Sequence, residues 1–167
     1  MADLQSLAEL YQRVVQEVLG FEAEIDEDMD VVFDEPELGT LFFSLDEDDP
    51  EYLRLVFGGF TSAEDLGLTD EELLEVLDEV NGNCKAAKIF VENGEVDDED
   101  EDEDEDEEDS DGPSIKHMVT VSLEAFIAAP DQLPSEALLR DIAPRALAAV
   151  RSAAMELLNA VSKRYPE

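Results

Sequence analysis

Asp97 to Asp111 reads DDEDEDEDEDEEDSD, fourteen carboxylates in fifteen residues, with an apolar, alternating segment on either side. Like charges at every spacing repel, and nothing in the run can enter a core. The run is expected to be a disordered, extended loop that separates folded chain from chain that is only solvated. Loops of this length are uncommon inside compact domains and tend to be functional or disordered where they occur.

The remainder sets the other limits. About 150 of the 167 residues lie outside the run, which suits one domain with a modest core. The net charge is −37; setting the run's fourteen carboxylates aside leaves 33 of 47 acidic residues against 10 Lys plus Arg, a net −23. So acidic a body repels phosphate backbones and anionic lipid, which argues against direct nucleic-acid or membrane-surface binding. A basic protein partner remains compatible with it. A single cysteine, Cys84, allows no internal disulfide. No charged and apolar leader opens the chain, and no apolar stretch approaches 18 residues. The expectation is a soluble, cytoplasmic protein.

Periodicity supplies the elements. Leu4, Leu7, Ala8, Tyr11, Val14, Val15 and Val18 recur at helical spacing, and Gly20 is placed to cap that helix. Phe21 to Ile25 then alternates, Met29 to Phe33 and Thr40 to Leu45 are short apolar runs, and Tyr52 to Phe57 reads as a strand. This part reads as a helix followed by three strands joined by short turns. Thr69-Asp70-Glu71-Glu72 is a capping box opening a second helix, which Asn81-Gly82-Asn83 stops. Lys85 to Glu92 alternates Ala87, Ile89 and Val91 against Lys88, Phe90 and Glu92. Ile115 to Leu123 alternates Val119, Val121 and Leu123 against Met118, Thr120 and Ser122. Those two strands form one hairpin across the 85–123 region, with residues 97–111 as its long loop. From Pro134-Ser135 an Ala- and Leu-rich helical register runs to the end of the sequence, and its survival across Pro144 favours one long helix over two. The fold class is α+β: an antiparallel sheet with helices, in the order α-β-β-β-α-β-β-α.

That order carries a resemblance. Leu45-Asp46-Glu47-Asp48-Asp49-Pro50-Glu51-Tyr52-Leu53-Arg54-Leu55 resembles the strand-turn-strand stretch of bacterial YbjN-type proteins. Val80-Asn81-Gly82-Asn83, Ala87-Lys88-Ile89-Phe90-Val91 and Leu133-Pro134-Ser135 resemble that family's next features in the same order. The resemblance spans nearly the whole chain and implies a single YbjN-like domain, residues 1–167. YbjN-type proteins are similar in fold to class I type III secretion chaperones, which are small, acidic, often dimeric binders of extended effector segments. The departure is the acidic run, where the family's hairpin turn is short.

Catalytic groups are scarce. Cys84 and His117 are the only residues of their types, and a Cys-His pair would suggest nucleophilic catalysis. In the hairpin they begin successive strands, near opposite ends, roughly 25 Å apart at about 3.3 Å per residue. A calcium loop with Gly112 at its sixth position puts Glu107, Asp109 and Asp111 at one, three and five, but Met118 at twelve, which does not ligate calcium. Gly58-Gly59 lacks the Gly-Lys-Ser/Thr of a phosphate loop and reads as a turn. No enzyme, cofactor or metal is expected.

Aromatic placement is more informative. Phe42-Phe43, and Phe90 opposite Ile89 and Val91, put aromatic residues on both faces of strands. With helices covering one face, a second apolar face remains for a partner to bury, and a homodimer is the simplest such assembly. The expectation is a non-enzymatic, chaperone-like protein-interaction module. Its partner-binding candidates are Phe42, Phe43 and Phe90, together with Asp97, Asp98, Glu99, Asp100, Glu101 and Asp102 of the run. The alternative is an acidic charge shield or nucleic-acid mimic that engages basic proteins through residues 97–111.

Overall fold

Among the described residues six antiparallel strands build the sheet, in the order β1-β2-β3-β4-β6-β5. The computed structural model describes residues 3–95 and 115–166. The strands are β1 (Ala23–Ile25), β2 (Val31–Glu35), β3 (Gly39–Ser44), β4 (Tyr52–Ser62), β5 (Ala87–Glu95) and β6 (Ile115–Phe126). The helices are α1 (Leu4–Val14), extended by a π-helical turn at Val15–Leu19, then α2 (Asp70–Asn83) and α3 (Glu136–Arg164). The α+β class and the helix, strands, helix, hairpin, helix sequence hold. The alternating segment after Gly20 adds a three-residue strand of its own at one sheet edge.

Local chemistry starts and stops the helices where expected. Gly20 takes the left-handed conformation (φ 79°) and its N–H reaches the Val15 carbonyl at 3.0 Å. The Thr69 hydroxyl accepts from the Glu72 N–H at 3.2 Å, and the Glu72 carboxylate accepts from the Thr69 N–H at 2.9 Å, a complete capping box. Ser135 caps α3 by accepting from the Leu138 N–H at 3.2 Å. Beyond it α3 runs unbroken through Pro144 to Arg164.

Alternation decides which side of the sheet the helices cover. Leu41 and Phe43, Leu53 and Leu55, Ile89, and Val119 and Val121 are all buried, and they share one core with Leu7 and Tyr11 of α1, Leu73 and Val76 of α2, and Leu139, Val150 and Leu157 of α3. Helices therefore layer one sheet face, and that face is the core.

Gly58-Gly59 is not the turn its composition suggests. β4 continues through it to Ser62, and pairing jumps from Phe57↔Val121 to Thr61↔Val119, so four steps on β4 match two on β6. The two extra residues form a bulge, with Gly59 at φ 60°, a conformation other residues rarely adopt. The bulge returns Phe60 to the side of Phe57, and their rings stack at 4.6 Å.

Candidate interaction face

Opposite the helices, the sheet carries a side-chain layer of its own. Across the middle of this face the register aligns Val32, Phe42, Val56, Ser122 and Lys88 on five adjacent strands. Next to that row, Phe90 pairs with Thr120, and Glu92 with Met118. Val56, Thr120 and Ser122 are buried although no described helix covers them, at 3, 0 and 1 % exposure. The half-buried Val32, Phe42, Phe90 and Met118 surround these three positions on the same face.

Glycine 58 sits at the centre. A Cβ there would lie at 3.8 Å from Val56, 3.9 Å from Thr120 and 4.0 Å from the Phe42 ring, so these side chains converge over its backbone. Polar atoms within this apolar layer are held in a short chain. Thr120 Oγ1 donates to Glu92 at 2.8 Å and accepts from the Gly59 N–H at 3.2 Å. Ser122 Oγ is buried with no hydrogen-bond partner among the described residues, leaving one donor and one acceptor unused at the floor of the face.

At one end of the face the chemistry turns polar. Glu124 accepts from the Tyr52 hydroxyl at 2.8 Å and lies 3.4 Å from Arg54 Nε and 3.7 Å from Lys88 Nζ. Burial, then the hydrogen bond to Glu124, holds the Tyr52 phenol above its ordinary pKa. Tyr52 packs against Phe126 at 5.0 Å between ring centroids. Phe126 is 74 % exposed, the most exposed of the large apolar side chains described.

The candidates read from the sequence separate here. Phe42 and Phe90 lie on this face. Phe43 does not: neighbouring strand residues point to opposite sides, and Phe43 is fully buried against Tyr11 (5.1 Å) and Phe33 (5.9 Å) in the core. Phe43 is thereby corrected from a binding residue to a core residue. Asp97, Asp98, Glu99, Asp100, Glu101 and Asp102 lie outside the described residues. Val32, Val56, Tyr52, Met118 and Phe126 are not among the binding candidates read from the sequence. The alternation of β6 did name the right face for Met118, Thr120 and Ser122, but not the burial of the last two.

Catalytic geometry is absent from the two unique residues. Cys84 caps the end of α2 before β5 begins, whereas His117 pairs with Asn93 toward the far end of that strand. Cys84 does line two shallow clefts. One, of about 420 Å³, lies against Ala149, Ser152, Ala153 and Glu156 of α3; the other, of about 540 Å³, runs beside Asn81, Ala87 and Ile89. Burial, with Glu156 adding to it, pushes the Cys84 thiol up, away from the thiolate a nucleophile requires. Among the described residues no three His, Cys, Asp or Glu side chains gather as a metal-ligand set. No helix among them is long and apolar enough to cross a membrane.

No family model matches the chain, and no curated protein matches it. Among solved structures it is similar to an uncharacterized protein from Methanothermobacter thermautotrophicus, at a TM-score of 0.57 and 15 % identity, over 95 % of this chain and 99 % of that one. At that identity the likeness is one of fold. An α+β arrangement spanning both chains almost end to end is what the two share.

Proposed function

We propose that this chain is a non-enzymatic protein-interaction module that captures a protein partner on the helix-free face of its sheet. The observation that carries this reading is the layer formed by Val32, Phe42, Phe90 and Met118, half-buried around Val56 and a Ser122 hydroxyl that has no partner among the described residues. Aromatic residues and Met are enriched at binding faces, whose apolar centre carries a polar rim. The Tyr52–Phe126 pair and the Arg54–Glu124–Lys88 cluster give the layer a polar rim at one end. The chaperone-like fold implied by the YbjN resemblance agrees with such a role, as does self-association, and a cytoplasmic setting suits both.

A second reading draws on charge. The run and the net −37 make the chain a polyanion, so a charge shield that engages basic proteins through residues 97–111 is the competing account. Ionic strength separates the two. Exposed charges are screened beyond about 8 Å at physiological salt and beyond about 3 Å at 1 M, whereas apolar capture persists. The test is affinity capture from lysate at low and at high salt, with mass-spectrometric identification. A partner retained at high salt by the wild type, and by a variant in which residues 97–111 are replaced by a short turn, supports the face. Partners held at low salt but lost at high salt, and lost by the shortened variant, contradict it and favour the shield.

A further inference from the structure

Among the described residues β5 ends the sheet, so one side of its backbone has no strand neighbour there. Such an edge invites another strand, and proteins close edges by specific devices. Here the device is a side chain. Asn81, in the last turn of α2, donates from its amide nitrogen to the Ile89 carbonyl at 2.8 Å and accepts from the Ile89 N–H at 2.9 Å. Ile89 faces Val121 across the β5–β6 ladder. Both of its backbone groups turn away from β6 and meet the two ends of one amide, the pair of bonds an added strand residue would make.

We propose that Asn81 is an edge guard that holds β5 shut against a second copy of this chain, and that its withdrawal lets two β5 edges pair antiparallel about Phe90. Ladder parity gives the outward groups to Ala87, Ile89, Val91 and Asn93. Centring the pair on Phe90 sets Ile89 opposite Val91 of the second copy in hydrogen-bonded position. The same register sets Lys88 opposite Glu92 of the second copy, on both sides of the centre, and Phe90 opposite its own counterpart. Opposed charges and aromatic pairs both stabilise cross-strand positions. The strand is basic at one end, acidic toward the other and apolar between, which suits antiparallel self-pairing.

Registers shifted toward Glu95 lose the match of Lys88 with Glu92. Pairing Val91 with Asn93 of the second copy sets Glu92 against Glu92, which is destabilising. Sliding the centre further toward Glu95 brings together the two acidic runs, which begin at Asp97. With the centre at Phe90, the two copies of Glu95 stand ten strand steps apart, roughly 34 Å, more than three times the screening length of about 10 Å at 0.1 M salt. The charge-matched register is thus the one Asn81 blocks. This inference shares Phe90, Lys88 and Glu92 with the helix-free face but rests on the backbone edge of β5 and not on capture of a partner by that face.

Sedimentation equilibrium of the full chain at about 0.15 M salt tests it. Asn81 is exposed, so Asn81→Ala and Asn81→Ser are both expected to fold, checked by circular dichroism. Each should self-associate at least tenfold more tightly than the wild type. Adding Lys88→Glu to Asn81→Ala should return association to the wild-type level, and further adding Glu92→Lys should restore it. Folded Asn81 variants that associate no better than the wild type overturn the proposal. So does tighter association that is indifferent to Lys88→Glu, or that Glu92→Lys fails to restore.

Discussion

Phe42 and Phe43 are adjacent on β3 and serve opposite faces of the sheet: Phe43 is wholly inside the helix-covered core, and Phe42 lies half-buried on the open side. The two rings therefore separate stability from binding. Phe43→Ala removes a side chain packed between Tyr11 and Phe33 and should cost about 3–5 kcal/mol. Phe42→Ser should cost less than half as much and leave a cooperative denaturation curve, while weakening partner capture. Denaturant unfolding of both variants checks the first half of this contrast, and capture by the folded Phe42 variant the second.

Tyr11 is 1 % exposed, and its hydroxyl has no partner among the described residues. Burial raises its pKa well above the ordinary value. An unfolded tyrosine ionises near pH 10, while the folded one keeps its proton. Stability should therefore be flat in this respect below about pH 10 and fall above it as the unfolded state releases the proton. Tyr11→Phe should be neutral or stabilising by about 1 kcal/mol at pH 7. It should also move alkaline unfolding to higher pH, with the raised Tyr52 preserving part of the slope.

Glu35 is buried at the end of β2, where its carboxylate accepts from the Glu37 and Leu38 N–H groups at 2.8 and 2.7 Å and pairs with Arg151 of α3. Arg151 thus ties the last helix to the β2–β3 turn. Arg151→Ala should destabilise by about 2 kcal/mol, less than the 3–5 typical of breaking a buried pair, because the two backbone donors remain. Arg151→Lys should recover only part of the loss, since one ammonium replaces a planar fork. Chemical denaturation near neutral pH gives both values.

The β5–β6 ladder runs from Ala87↔Leu123 out to Glu95↔Ile115, so the hairpin is paired up to the residues that bracket the acidic run. Replacing residues 97–111 by a Gly-Asn turn should keep the fold and leave the melting temperature equal or higher. Shorter loop closure contributes about 1 kcal/mol, and relief of repulsion adds to it most at low salt. Melting curves across a salt series should show the gain shrinking as salt rises. Loss of the folded state would mean that the run is structural.

Periodicity carried most of the fold. The amphipathic spacing from Leu4 to Val14, the capping box at Thr69 and the alternation of β5 and β6 are local signals, and local chemistry enforces them. The order that sets β6 between β4 and β5 depends on long-range pairing, which no single segment encodes. The Gly58-Gly59 bulge shows the same limit, because two glycines suit a turn or a bulge equally well until the partner register is fixed. Phe42 and Phe43 were visible as a pair, but their assignment to faces needed the register of β3 against β2 and β4. Thr120 and Ser122 look solvent-facing by type, and they are buried on a face that no helix covers. The guard at Asn81 was legible only as a helix stop, since its hydrogen bonds depend on where β5 lies.

The most direct test uses the partner recovered at high salt and compares its affinity for the wild type with that for a Phe42→Asp/Phe90→Asp variant. Both side chains are half-buried on the open face, so the variant should remain folded by circular dichroism. At least a hundredfold loss of affinity is expected for it, and less than a threefold change when residues 97–111 are replaced by a short turn. Wild-type affinity in the double variant, with loss on shortening the run, would contradict it.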